Sequence, residues 1–153
     1  MIRNAEICDI NKILDLLKQV NLIHVSARPD IFKVVTKYSY EELCKKIKEE
    51  PIFVYVDENN NVLGYIFGVV QETKSEHLIN KKTFFIDDFC VDQNARGQHI
   101  GSKLYEYVRE YAKKENFDRI TLNVWSFNEN AYKFYLKCGL KPLETVMEEV
   151  IKK

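Results

Sequence analysis

The chain has 153 residues, 46% hydrophobic and 12% aromatic, with only five glycines, which suits a packed core and excludes a disordered or fibrous protein. Twenty-three basic residues balance twenty-three acidic ones, so no net field draws the chain to nucleic acid or to an anionic membrane. Cys8, Cys44, Cys90 and Cys138 lack zinc or disulfide spacing and read as reduced, mostly buried thiols; with no cleavable leader and no apolar run near ~20 residues, a single cytoplasmic domain over residues 1–153 is expected.

Ile2 to Ile7 reads as extended, and Asp9 stands where it can cap a helix whose apolar positions Ile10, Ile13, Leu14, Leu17 and Val20 keep the helical period. An irregular stretch with Pro29 follows. Ser39-Tyr40-Glu41-Glu42 is a capping box that opens a second helix over Tyr40 to Glu50, stopped by Pro51. Ile52 to Val56 and Val62 to Gln71 are strands on either side of the turn run Asp57 to Asn61, which predicts an antiparallel hairpin. Glu72 to Lys82 is polar loop, and Thr83 to Val91 is an apolar central strand interrupted by two acids. A third helix spans Ile100 to Phe117, and Arg119 to Trp125 is the next strand. Asn128 caps a fourth helix that runs to Cys138, Gly139 is its left-handed stop, and Leu143 to Ile151 closes the chain as a strand or mixed segment.

Two places in this order carry chemistry. The segment Val91 to Gly101 joins a hydrophobic strand to the start of a long helix through a glycine-containing turn. Helix N–H groups and the helix dipole favour an anion there, and glycines let a pyrophosphate approach the backbone; Arg96 adds a charge. The alternative is that the glycines serve turn geometry alone. The segment has neither Gly-x-Gly-x-x-Gly nor a Gly-Lys-Ser/Thr ending, so a flavin or nucleotide domain of those types is not indicated. The second place is Asp87-Asp88: alternation puts Asp87 on the face of Phe89 and Val91 and Asp88 on the opposite one. Carboxylates in an apolar strand are costly unless paired or functional, the alternative being a strand end with both acids solvated.

The run Arg96-Gly97-Gln98-His99-Ile100-Gly101 resembles the acetyl-CoA loop of the GNAT acetyltransferases, with His99 where that family usually has the first glycine of its motif. Asn128-Glu129-Asn130-Ala131-Tyr132-Lys133-Phe134-Tyr135, ending at Gly139-Leu140, resembles the family's Asn-x-x-Ala-x-x-Phe-Tyr segment. The resemblance extends from Val62 to Leu140 and rests on less before that. It implies an α/β (α+β) GNAT fold: a mixed, mostly antiparallel sheet of about six to seven strands flanked by about four helices and splayed at the acetyl-CoA strand. It implies acetyl-CoA as co-substrate, held by Phe89, Cys90 and Val91 on the strand, by Arg96, Gly97, Gln98, His99, Ile100, Gly101 and Ser102, and by Asn128, Ala131 and Tyr135.

The implied reaction is acetyl transfer to a primary amine of a small molecule, peptide or lysine by direct attack in a ternary complex. An alkylamine with a pKa near ~10.4 must lose a proton before it attacks, so a base is needed. Asp87 ranks first and Asp88 second, by resemblance to members with an acid there. Tyr135 matches the tyrosine that protonates the departing sulfur in many members, although it also reads as a core aromatic. A main-chain N–H near Phe89 would hold the carbonyl oxygen and Val91 the pantetheine amide. Cys90 has no histidine placed to activate it, which disfavours an acyl-cysteine. His24, Arg28, Pro29 and Phe32, in the irregular stretch, either border the acceptor or are solvated loop, and Trp125 either lines the acceptor pocket or fills the core. The competing class is a CoA-binding sensor without turnover, suggested by His99. Dimers are common among similar proteins, and Leu143 to Lys153 is a candidate edge strand for a second copy.

Overall fold

The computed structural model describes residues 1–152, and the chain divides into two compact units, one from Met1 to Asn123 and one from Val124 onward. In the first unit β1 (Ile2–Asn4) leads through a 3-10 turn into α1 (Ile10–Ala27). Asp9 is not the side-chain cap of α1 that its position suggests. Its carboxylate accepts from both Arg3 guanidinium nitrogens at 2.7 and 3.0 Å and from the Glu6 N–H at 2.8 Å, so the ion pair with β1 takes the place of the cap. α1 continues well beyond Val20 because nothing stops it before Pro29, which disfavours helix in the residue ahead of it. His24 therefore lies within α1, and not in the irregular stretch where the sequence reading puts it.

The capping box forms as expected. The N–H of Glu42 donates to Ser39 Oγ at 3.2 Å and the N–H of Ser39 to Glu42 Oε1 at 3.3 Å, opening α2 (Tyr40–Glu49). The strands β2 (Ile52–Val56) and β3 (Val62–Glu72) form the hairpin, and the Asp57 carboxylate fixes the turn by accepting from the N–H groups of Asn59 and Asn61, each at 2.9 Å. After the polar loop come β4 (Lys82–Val91), α3 (Ile100–Lys114) and β5 (Arg119–Leu122). The sheet order is β1-β2-β3-β4-β5, antiparallel except for the parallel pair β4–β5. This is the mixed, mostly antiparallel sheet of the expected fold, with five strands among the described residues and not six to seven: β5 ends at Leu122, short of Trp125, and residues 143–151 form no strand.

Alternation along β2 and β3 divides the core. Ile52, Val54, Val56, Tyr65 and Phe67 pack with Ile10, Ile13, Leu16 and Leu17 of α1 and Leu43 of α2. Phe53 meets Tyr107 and Tyr111 of α3 edge-on at 5.1 Å on the other face, and Ile100, Leu104 and Val108 are buried along the same helix. Each such fully buried side chain contributes roughly 1.5–3 kcal/mol, which fixes the sheet as a rigid support for the end of β4. Cys90 is buried, whereas Cys8 is exposed and Cys44 and Cys138 are intermediate, so the expectation of mostly buried thiols does not hold.

The second unit contains α4 (Glu129–Cys138). Asn128 Oδ1 accepts from the Ala131 N–H at 3.2 Å, and Gly139 stops the helix at φ 103°, both as expected. None of the residues of α4 is buried.

Candidate active site

The chemistry-bearing end of the first unit is made by one irregularity in β4. Phe67 pairs with Asp88 and Gly68 with Ile86, which leaves Asp87 as the extra residue of a β-bulge. A bulge re-aims side chains and breaks strict alternation, so the expectation that Asp87 and Asp88 point to opposite faces fails here. Both carboxylates reach the same ammonium group: Lys37 Nζ lies 3.3 Å from Asp87 Oδ1 and 3.8 Å from Asp88 Oδ2. The reading of both acids as solvated fails as well, since their side chains are only 17% and 8% exposed.

Their partners come from distant parts of the chain. The Tyr38 hydroxyl donates to Asp87 Oδ2, and the Tyr65 hydroxyl donates to Asp88 Oδ1 at 3.0 Å. Burial, then the hydrogen bond to Asp87, pushes the Tyr38 phenol far above its ordinary value; burial and Asp88 do the same for Tyr65. Both hydroxyls therefore stay protonated as donors. Burial raises the Asp88 carboxyl, against the opposing pull of Lys37 and of the Tyr65 hydrogen bond. Lys37, Tyr38 and Tyr65 are functional candidates that the sequence alone does not mark, because Lys37 and Tyr38 lie in the irregular stretch and reach Asp87 only through the fold.

β4 pairs with β5 only from Thr83 to Ile86 and continues to Val91 beside β3 alone, which is the splay expected at Phe89, Cys90 and Val91. The Cys90 side chain faces the α1 side of the core. Its thiol lies 3.7 Å from the Leu16 carbonyl and is pushed up to about 12, mainly by burial, so it is a neutral thiol and not a nucleophile. What Cys90 can offer a cofactor is its main chain.

The loop after β4 is anchored by Asp92, which the sequence reading passed over. Its carboxylate accepts from Lys12 Nζ at 2.6 Å, from Gln19 Nε2 at 3.4 Å and from the Asn94 N–H at 3.0 Å, and the Lys12 bond is the largest cause holding it below the ordinary carboxylate range. Beyond the anchor, Arg96, Gly97, Gln98 and His99 are exposed, Ile100 is buried, and Gly101 and Ser102 begin α3. Gly97 has φ 84°, and a side chain added there would meet nothing within 4 Å. His99 takes up the left-handed conformation at φ 61° and makes no side-chain cap bond. The backbone thus keeps a glycine-like turn despite the side chain. An open glycine turn, an exposed arginine and a helix start without a side-chain cap fit an anionic phosphate group.

Four candidate residues, Trp125, Asn128, Ala131 and Tyr135, lie in the second unit. Asn128 and Ala131 form the cap of α4, and Tyr135 is half-buried with its ring 5.4 Å from that of Phe134. Trp125 is 41% exposed and lies 5.7 Å from the Phe127 ring, so it does not fill a core. In the first unit the His24 and Phe32 rings are 4.7 Å apart, Arg28 pairs with Asp30 at 2.7 Å, and burial followed by the charge of Lys37 lowers the His24 pKa. His24 is thus on the Lys37 side of the unit. Surface hollows around Gln71, Lys74 and Arg119 and around Cys8, Lys12 and Asn60 include neither Asp87 nor the start of α3.

Comparison with known proteins bears on the family and the fold. The profile of the Acetyltransferase (GNAT) family matches residues 17–140. Over 88 residues the chain is 25% identical to an uncharacterized N-acetyltransferase in the pepI 3' region of Lactobacillus delbrueckii subsp. lactis; the match covers 58% of this chain and 50% of that protein, so the chain spans about half the length of that curated relative. Among solved structures, the tetramutant of the BH1408 protein from Bacillus halodurans is 30% identical, with 99% of both chains covered and a TM-score of 0.95. Glucosamine-6-phosphate N-acetyltransferase from Arabidopsis thaliana, at 22% identity over 99% of this chain and 98% of that one, has a TM-score of 0.71 and shares the fold. The chain belongs to the GNAT acetyltransferase family.

Proposed function

We propose that this protein transfers an acetyl group from acetyl-CoA to a primary amine by direct attack in a ternary complex, the amine being that of a small molecule, a peptide or a lysine. The observation that carries the reading is the β4 bulge, which sets two carboxylates at the end of a splayed strand that runs straight into an open glycine turn and an α-helix start. When bound, acetyl-CoA supplies the activated thioester. The main-chain N–H groups from Gly97 to Ser102 and the Arg96 guanidinium hold the pyrophosphate, with Gln98, His99, Ile100 and Gly101 shaping the turn. Main-chain groups of Phe89, Cys90 and Val91 orient the pantetheine and the carbonyl oxygen. Asp87 accepts the proton of the incoming ammonium, with Asp88 beside it. Tyr135, on the segment that resembles the family's Asn-x-x-Ala-x-x-Phe-Tyr motif, gives a proton to the departing sulfur, and Asn128 and Ala131 position that segment.

We place the protein in the cytoplasm as one catalytic domain; among the described residues no helix is long and apolar enough to cross a membrane. We also propose a homodimer, on the ground that none of the described residues of the second unit is buried and that Leu143, Val146, Met147 and Ile151 are exposed.

The test is calorimetric titration of acetyl-CoA and of free CoA into the wild type and into Gly101→Glu, whose carboxylate opposes the pyrophosphate. Micromolar binding by the wild type, lost at least tenfold in a folded variant, is expected, followed by turnover on an amine panel. No binding by the wild type overturns the reading. Binding without turnover on any amine favours a CoA-binding sensor instead.

A further inference from the structure

Lys37 sits where the proposed reaction needs a substrate. It lies in the segment between α1 and α2, and its ammonium donates to the Asp87 carbonyl oxygen at 2.9 Å and to Asp87 Oδ1 at 3.3 Å, with Asp88 Oδ2 at 3.8 Å. A primary alkylammonium has three N–H donors and no acceptor, and here it donates to two oxygens of Asp87 while the Asp88 carboxylate lies within ion-pair range. The neighbouring Tyr38 ring closes one side, with Lys37 Nζ 5.6 Å from its centroid, while its hydroxyl fixes Asp87 by donating to the other carboxylate oxygen, Oδ2. The lysine side chain is still 46% exposed, so it is held from the solvent side and can leave without opening the core.

We propose that Lys37 is a specificity-determining residue whose ammonium occupies the acceptor position, so that the acceptors are cationic primary alkylamines able to displace it. This rests on the reading of Asp87 as the group that receives the acceptor. The consequence is a selection by charge and shape. An alkylammonium replaces Lys37 like for like, donating to the same Asp87 oxygens beside the Asp88 charge and leaving the lysine free to hydrate. A neutral arylamine that displaces the lysine leaves the two carboxylates facing an uncharged group, and a quaternary ammonium brings charge without N–H donors. Lys37 competes with every acceptor, and its removal strengthens binding only of those acceptors that use the ammonium position. A half-exposed ion pair of this kind is worth up to roughly tenfold in an equilibrium constant.

Two measurements test this, one of which needs no catalysis. In protein carrying 13C-lysine, the Lys37 ε-methylene signal, assigned by its loss in Lys37→Met, is followed by NMR as n-butylamine, aniline or tetramethylammonium is added at pH 7. The signal is expected to move toward that of solvated lysines with n-butylamine alone. In steady-state assays with acetyl-CoA, the KM for n-butylamine is expected to fall about five- to tenfold in Lys37→Met while that for aniline changes less than twofold. A signal indifferent to n-butylamine, or one moved equally by all three compounds, overturns the proposal even if acetyl transfer is found. A selective response without any transfer supports the ammonium site and overturns only the assignment of the reaction.

Discussion

Asp87 and Asp88 are neighbours in sequence with different surroundings, and the difference assigns them different work. Asp87 is the bulged residue, bonded by Tyr38 and Lys37, both of which come from a segment outside the sheet. Asp88 is more deeply enclosed and bonded by Tyr65, a fully buried core side chain. If Asp87 receives the acceptor proton, Asp87→Asn lowers kcat by about 10²–10⁴-fold while leaving acetyl-CoA affinity within about twofold, as rapid-quench turnover and calorimetry would show. Asp88→Asn acts on stability. Burial raises the Asp88 carboxyl above the ordinary value, so the folded state binds a proton there more tightly than the unfolded chain does. That contribution is fully present below the ordinary carboxylate pKa and is lost as pH rises through the raised one, above which the buried charge weighs against folding. Asparagine keeps an acceptor for Tyr65 without the charge. Asp88→Asn is therefore expected to be more stable than wild type at pH 7.5, with the gain shrinking toward pH 4 in chemical denaturation; a gain that grows on acidification contradicts the assignment.

At the level of elements, the bulge depends on glycine packing on the adjacent strand. A Cβ on Gly68, which pairs with Ile86 just past the bulge, would lie 2.1 Å from the Phe84 ring, itself fully buried against Tyr111 and Phe117. The ring has no room to retreat, so Gly68→Ala is expected to cost about 1–3 kcal/mol in urea denaturation. It is also expected to lower activity on amines by disturbing Asp87, without a matching loss of CoA binding. No local signal reports this: Gly68 is one small residue in an apolar run, and its neighbour Phe84 comes from another strand. The elements that were legible have strong local codes, such as the Ser39–Glu42 capping box, the Asp57 turn and the Asn128 and Gly139 caps. Those misread involve long-range competition. Asp9 has the residue type of a cap, yet Arg3 on β1 claims its carboxylate. Asp87 and Asp88 were visible as acids out of place, but strict alternation assigned them opposite faces because a bulge is written in the pairing of two strands and not in either one. Lys37, Tyr38 and Asp92 join the site through contacts across most of the first unit, which no spacing rule encodes.

At the scale of the whole molecule, the second unit poses the remaining physical question. None of the described residues from Val124 onward is buried. The expected closing strand shows why composition misleads here: Leu143 to Ile151 is apolar enough for a strand, but among the described residues it forms no ladder, and a strand exists only with a partner for its N–H and C=O groups. Leu143, Val146, Met147 and Ile151 are 71–92% exposed and lie along one short segment, unlike the isolated surface apolar residues of ordinary proteins. A second copy supplies both an apolar cover and main-chain partners, and with acidic and basic residues equal in number no net repulsion opposes the encounter. Light scattering on the eluting protein is therefore expected to give twice the mass of the chain at micromolar concentration. Val146→Glu combined with Met147→Glu, which places two carboxylates in the covered segment, is expected to shift the mass to that of one chain while the circular dichroism of the first unit persists. A wild type that elutes as a single chain at that concentration removes the homodimer, and the exposed segment must then have some other cover.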